Sequence, residues 1–354
     1  MDPIALLKQM IETPSVSRNE SAVADLLFNA LANSNFSPFR IYNNIYAVSE
    51  DYCPERPTLL LNSHLDTVKP SPAYTREPYT VAVEGDRLYG LGSNDAGASV
   101  VSLIAVFDRF RCKSLPFNLI LAISAEEEVT GEKGIRALLP HLKEQGYAID
   151  MALVGEPTGM QPAIAERGLV VLDCVSRGVT GHAARNTGVN ALYKALDDIT
   201  RLRSMKFPLQ SDTLGPIGLQ VTMIEAGRQH NVVPDECRWV VDVRTTDAYT
   251  NEETVALIRQ AVEADVKERS TRIRASVIDV THPMVKAAAM MGREPFVSPT
   301  TSDMSQMSAF PSLKMGPGLS ERSHTADEFV LLSEIHSAIE DYTVYINNLS
   351  NLLK

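Results

Sequence analysis

The chain has 354 residues, comfortable for two domains and long for one, and its 44% hydrophobic and 22% charged residues are a globular balance rather than a disordered or fibrous one. Acidic residues outnumber basic ones 44 to 33, and the net charge of -11 argues against a nucleic-acid or anionic-membrane surface, which needs clustered Lys and Arg. Four scattered cysteines (Cys53, Cys112, Cys174, Cys237) with no CxxC pair suit buried thiols in a reducing cytoplasm better than disulfides or a structural zinc site.

The opening MDPIALLKQMIETPS is too charged for a signal peptide, and the longest apolar stretch, residues 97–107, falls short of the roughly 20 residues of a membrane span. A soluble cytoplasmic protein is expected. Residues 4–11 and 20–32 read as amphipathic helices, 57–62 (PTLLLN) as a strand, 91–95 as a loop and 96–110 as a buried helix. FNLILAIS (117–124) is a second strand, followed by an acidic loop and a helix near 132–145, and DMALVG (150–155) is a third strand. Strands that are apolar throughout and separated by helices indicate an α/β domain with a mostly parallel sheet covered on both faces. From residue 168 the pattern changes to strand GLVVLDCVSRG, helix NALYKALDDITRLRSM, strands GLQVTMIEAG and CRWVVDVRTT, helix NEETVALIRQAVEADVKERS and a last strand RIRASVIDV. That β-α-β-β-α-β order is ferredoxin-like. After Pro283 come a helix near 284–291, loops rich in Ser, Pro and Gly, and a long helix from Leu331. The expected architecture is a catalytic α/β domain in two segments, 1–167 and 282–354, interrupted by an α+β lid or dimerisation domain at 168–281.

In open parallel sheets ligands bind beyond the carboxyl ends of the strands, and here each apolar strand of the first segment runs into metal-capable groups. The first leads to His64 and Asp66, the second to Glu126, Glu127 and Glu128, the third to Glu156; Asp95 sits in a Gly-Ser-Asn-Asp loop before the buried helix. Period-two spacing points His64 and Asp66 the same way, so Asp66 can accept the second ring proton of His64 and raise its basicity toward a metal. Alone, His64-Leu65-Asp66 reads as readily as an ordinary strand end, and the glutamate run as a solvated helix start. Their place after apolar strands favours a metal site in which one glutamate ligates and its neighbour is a general base. A His/Asp/Glu zinc site with open positions is hydrolytic in type, because zinc offers no redox chemistry.

His64-Leu65-Asp66-Thr67-Val68, Gly92-Ser93-Asn94-Asp95, Ala125-Glu126-Glu127-Glu128, Gly155-Glu156-Pro157-Thr158 and Arg322-Ser323-His324 stand in the order found in the two-zinc aminoacylase and carboxypeptidase family. With the inserted domain, the chain resembles that family over nearly its whole length, most closely the acetylornithine deacetylase and succinyl-diaminopimelate desuccinylase branch. The resemblance implies two zinc ions, with cobalt able to substitute, bridged by Asp95. His64 and Glu156 would complete one site, Glu128 and His324 the other. Asp66 would orient His64, and Glu127 would be the general base for attack of a metal-activated water on an amide carbonyl. The sequence departs from the family pattern at Asp95-Ala96-Gly97-Ala98, which lacks the usual lysine, and at Glu126, which stands for the usual aspartate; an offset of one position would exchange base and ligand.

Within the insertion, the resemblance makes His182, in Gly181-His182-Ala183-Ala184-Arg185, an oxyanion donor reaching the neighbouring subunit of a homodimer, and makes Asn231 a substrate contact across it. Arg244, ending WVVDVR, reads either as an anchor for a substrate carboxylate or as a surface arginine, and Arg185 is a cation able to recognise a succinyl carboxylate. Gly316-Pro317-Gly318 lacks a P-loop ending and is expected to let backbone amides approach a substrate carboxylate. The implied activity is deacylation of an N-acyl amino acid: N-acetylornithine first, N-acetyl- or N-succinyl-citrulline and N-succinylornithine next, in arginine biosynthesis. A dipeptidase or carboxypeptidase with the same metals, and a metal-free binding protein on the same fold, are the rivals.

Overall fold

The computed structural model describes residues 1–185 and 187–354. The chain divides into two compact units, one of residues 1–164, 278–297 and 302–354, the other of residues 165–277 and 298–301.

The first unit is built on a sheet whose strands are β1 (Phe39–Ile41), β2 (Asn44–Val48), β3 (Thr58–His64), β6 (Asn118–Ser124), β7 (Met151–Val154), β8 (Ala163–Glu166), β16 (Phe296–Ser298) and β17 (Ser312–Lys314). They lie in the order β1-β2-β6-β3-β7-β17-β8, with β16 also on β8. The four central strands β6, β3, β7 and β17 are parallel, and the margins are antiparallel. Every residue of β3, β6 and β7 is buried, as continuous apolar runs predict for strands covered on both faces. Helices α1 (Pro3–Ile11), α2 (Ser21–Asn33), α3 (Ala98–Phe110), α7 (Pro283–Ala289) and α8 (Leu332–Leu352) contribute to one apolar core with the sheet. Helix α4 (Ile135–Glu144) joins a smaller cluster with Leu60, Ile120 and Val154. Asp2 starts α1 by accepting the Ile4 N–H at 2.9 Å just ahead of Pro3. A three-stranded sheet of β4 (Ala82–Glu84), β5 (Arg87–Tyr89) and β18 (Phe329–Leu331) carries the chain past the loop of His324.

The second unit has a four-stranded antiparallel sheet of β9 (Gly168–Arg177), β11 (Gly218–Ala226), β13 (Glu236–Thr245) and β14 (Asp265–Glu268), in the order β11-β13-β9-β14. Helices α5 (Ala191–Ser204) and α6 (Asn251–Ala261) cover it, and Trp239, Cys174 and Val241 are buried in its core. Strand order and helix placement are those of a ferredoxin-like unit. A two-stranded ribbon pairs β10 (Gly181–His182) with β12 (Val232–Val233), and β15 (Ser276–Val277) pairs with the end of β8.

Two expectations need correction. The last helix of the insertion stops at Ala261, and the fourth strand is β14 rather than RIRASVIDV. Val262, Ala264 and Val266 recur at period two and pack on the core, a strand signal absorbed into a helix reading. The supposed loops after residue 291 contain β16 and β17, and three-residue β17 lies against β7 in the parallel centre.

Candidate metal centre

Because β6, β3 and β7 are adjacent and parallel, their carboxyl ends open side by side. His64 is the last residue of β3, in register with Ser124 of β6, and Asn62 pairs with Val154 of β7, so the residues just beyond these ends meet. His64 is buried, with Nε2 3.2 Å from Asp95 Oδ1 and 3.6 Å from Glu156 Oε1. Nε2 of His324 lies 3.6 Å from Asp95 Oδ2 and 2.9 Å from Glu128 Oε2. Asp95 thus offers one oxygen toward each imidazole, each of which also faces a glutamate. His64, Asp95 and Glu128 each present a donor atom within 4.8 Å of the others. Glu156 Oε1 is buried without a hydrogen-bond partner. Two imidazoles, a shared carboxylate and an orphaned buried oxygen fit borderline divalent cations such as zinc.

Backbone clamps place these ligands. The His64 ring is fixed by the Asp66 backbone carbonyl, 2.9 Å from Nδ1; the Asp66 carboxylate is 3.6 Å away, beyond hydrogen-bond reach. That carboxylate instead accepts the N–H of Glu127 at 3.0 Å, the N–H of Glu128 at 3.2 Å and the Ser17 hydroxyl at 2.7 Å. Asp66 therefore holds the turn that presents the two glutamates. Glu126 points elsewhere, accepting the Lys133 N–H at 3.2 Å. The turn carrying Asp95 is fastened by buried Glu328, which accepts N–H groups of Gly92, Asn94 and Asp95.

Burial dominates the electrostatics. It pushes the Glu127 carboxyl well above the usual carboxylate range, against the pull of His64. It raises Glu156 to about 8, with His64 and the buried Lys314 pulling down and Asp95 pushing up. It also raises Glu128, against its hydrogen bond with His324. His324 is raised to about 9, first by its hydrogen bond to Glu128. Asp303, whose carboxylate accepts the Ser124 hydroxyl at 2.6 Å, is raised by burial to about 6.

Gly316 falls differently from expectation. The Gly316 N–H donates to Thr158 Oγ1 at 3.1 Å and its carbonyl accepts the Met160 N–H at 2.9 Å, so neither group is free for a substrate carboxylate. A Cβ on Gly316 would stand 2.6 Å from the Glu156 carbonyl oxygen and 2.9 Å from its nitrogen, so the missing side chain lets the strand end of Glu156 be approached. Gly318 has φ of 82°, and a Cβ there would meet Asn94 Oδ1 at 2.2 Å.

His182, Asn231 and Arg244 are exposed residues of the second unit. The β10–β12 ribbon sets His182 opposite Val232, and Asn231 O accepts the Ala183 N–H at 3.0 Å, which makes His182 and Asn231 neighbours. His182 Nδ1 accepts the Ala184 N–H at 3.2 Å, which places the ring proton of a neutral imidazole on Nε2. Arg244 is engaged by Asp242 through Nε at 2.8 Å and a terminal nitrogen at 3.2 Å, so its guanidinium is not a free anchor. Exposed Arg185 closes the short turn Ala183–Arg185. Sequence reasoning missed Glu328, Ser17, Lys314 and Asp303; each acts through a tertiary contact that no local pattern announces.

The sequence pattern of Peptidase family M20/M25/M40 matches residues 60–348. A succinyl-diaminopimelate desuccinylase of Dinoroseobacter shibae is 32% identical across 73% of this chain and 72% of its own length. One from Rhizorhabdus wittichii is 26% identical across 97% and 96%. Among solved structures, the aminopeptidase PepT of Bacillus cereus superposes with TM-score 0.78 at 18% identity, covering 98% of both chains. A Bacillus subtilis protein described as a dinuclear metal-binding peptidase of the M20 family superposes with TM-score 0.71 at 15% identity, covering 99% of this chain and 97% of its own.

Proposed function

We propose, from the premise that the chain belongs to peptidase family M20/M25/M40 and hydrolyses amide bonds, that its substrate is an N-acyl amino acid and its cofactor a pair of zinc ions. The observation that carries this reading is Asp95, whose two carboxylate oxygens lie 3.2 and 3.6 Å from separate imidazoles. One ion would be held by His64, Asp95 and Glu156, the other by Asp95, Glu128 and His324, with cobalt an alternative metal. Such ions supply Lewis acidity toward a carbonyl oxygen and ease ionisation of water. Glu127, half-buried and with its proton affinity raised by desolvation, takes the proton of the attacking water on its carboxylate and returns it to the leaving amine. His182, with its ring proton on Nε2, donates to the developing oxyanion in the neighbouring subunit of a homodimer, and Asn231 beside it contacts substrate across the same dimer.

The desuccinylase names of the relatives favour a succinyl over an acetyl group and a diamino acid product, in lysine rather than arginine biosynthesis. N-acetylornithine is the second reading, carried by the resemblance of the tail from Gly316-Pro317-Gly318 to Glu328 to that branch. A homodimer through the second unit is supported by its free edge strand β11, where Met223 and Ile224 are 64% and 48% exposed, and by Tyr193 and Leu196 on α5, 65% and 47% exposed. Four unpaired cysteines suit the cytoplasm, and among the described residues no helix is long and apolar enough to cross a membrane. The test is a panel of N-succinyl-diaminopimelate, N-acetylornithine, N-succinylornithine, N-acetylcitrulline and dipeptides with added zinc. An N-acyl amino acid should be hydrolysed at least tenfold faster than any dipeptide; turnover of dipeptides alone overturns the proposal.

A further inference from the structure

Glu328 is 2% exposed and holds three backbone N–H groups of the turn that carries Asp95. Its Oε2 accepts the Gly92 N–H at 2.9 Å, and its Oε1 accepts those of Asn94 at 2.8 Å and Asp95 at 2.9 Å. Its own backbone carbonyl accepts the Gly90 N–H at 3.0 Å, fastening the same turn from a second side. Glu328 stands four residues after His324, so this one residue ties the segment of one imidazole to the carboxylate placed between both. Three N–H groups converging on one buried side chain demand acceptor oxygens, and the two oxygens of a carboxyl group supply them.

We infer that Glu328 is a positioning residue for the metal pair: it fixes the Asp95 carboxylate at the height and rotation that let both oxygens serve ions. The inference rests on the proposed metal reading of Asp95. The adjacent residue supplies the comparison. Asp327 clamps backbone in the same manner, accepting the N–H of Thr75 and of Arg76 at 3.0 Å each, but the segment it holds carries no proposed ligand. A clamp that mattered only for loop packing would make the two residues equivalent.

The experiment is titration of metal-stripped full-length protein with zinc by calorimetry, and with cobalt followed by its visible absorption, for the unaltered chain, E328Q and D327N. Glutamine turns an NH2 toward the Gly92 N–H and so disrupts one of the three bonds without changing length. Unaltered protein should bind two ions per chain. E328Q should bind the weaker of them at least tenfold less tightly, as loss of a residue supporting a metal ligand does, with a changed cobalt spectrum, while D327N should match the unaltered chain. A folded E328Q with unaltered stoichiometry, affinity and spectrum overturns the inference, as does an equal loss in D327N. Should E328Q not fold, E328D replaces it; shorter by a methylene, it cannot reach all three amides and must show the same loss, and unaltered binding there is equally fatal. Unaltered protein that takes up no ion overturns the metal reading itself, an outcome that requires no variant.

Discussion

Asp66→Asn separates two ways in which this residue could serve the site. Its carboxylate accepts two backbone N–H groups, of Glu127 and Glu128, and the Ser17 hydroxyl, while the His64 ring is held by the Asp66 backbone carbonyl. Asparagine keeps that carbonyl and so keeps the imidazole bond. It offers one acceptor oxygen where two served, so one buried N–H loses its partner at roughly 1–3 kcal/mol, and the other loses the help of the charge, about 1 kcal/mol. Metal-free D66N should therefore be about 2–4 kcal/mol less stable than the unaltered protein in urea unfolding. The Glu127–Glu128 turn then shifts, and a base displaced by about 1 Å costs on the order of 10²-fold in kcat/KM. Ser17→Ala removes only the hydroxyl donor and should cost no more than about 1.5 kcal/mol. Metal-free D66N within 0.5 kcal/mol (about the scatter of a neutral surface change) of the unaltered protein, combined with weakened zinc affinity, would refute this reasoning and return Asp66 to the imidazole.

Glu127→Gln should lower kcat by about 10²–10⁴-fold with zinc content unchanged, measured by turnover and metal analysis of the same sample; loss of zinc would mean that Glu127 is itself a ligand. Metal-free protein should lose stability as pH rises from about 5 to 9. Folded Glu156, pushed by burial to about 8 from the ordinary 4.5, keeps a proton that the unfolded chain has released, so unfolding is favoured by up to about 1.4 kcal/mol per pH unit between those two values. His324, raised from 6.5 to about 9, acts in the same direction between those two values, where the folded chain keeps a proton that the unfolded chain has released. Thermal scans should show zinc restoring more stability at pH 8 than at pH 6, and a flat or rising metal-free profile would contradict the assigned charges. Ile224→Arg, on the free edge of β11, should shift sedimentation from dimer to monomer without lowering the melting temperature; an unchanged dimer would place the interface elsewhere.

What could be read in the sequence was whatever burial writes into a run of residues. Strands β3, β6 and β7 are apolar end to end because both faces are covered, and the groups just past their ends were legible by position. Strand β17, three residues long, has no period to detect although it completes the parallel centre. The fourth strand of the second unit was hidden by its neighbour, since Val262-Glu263-Ala264-Asp265-Val266 continues an amphipathic helix without a Gly or Pro to mark the change. Arg244 could have been read: an aspartate two positions earlier on the same strand face is its natural partner, and that pair forms. Glu328 could not, because its task depends on a turn 233 residues away.

The same distinction explains how the site is organised. Asp95, Glu127, Glu128 and Glu156 crowd carboxyl groups into a space where burial raises Glu127, Glu128 and Glu156 and where each negative charge opposes the next. Side-chain partners for these groups would relieve the repulsion but would also occupy the oxygens a cation needs. The clamps avoid that conflict by acting on backbone. Asp66 takes the N–H groups of Glu127 and Glu128, Glu328 takes that of Asp95, and Gly316 yields space to the main chain of Glu156. Main chain is fixed while Glu156 Oε1 is left without a hydrogen-bond partner and the Asp95 oxygens face the two imidazoles, with Ser323 beside them. Placement and coordination are thus divided between different atoms of the same residues, and a substitution at a clamp should disturb geometry before it disturbs charge.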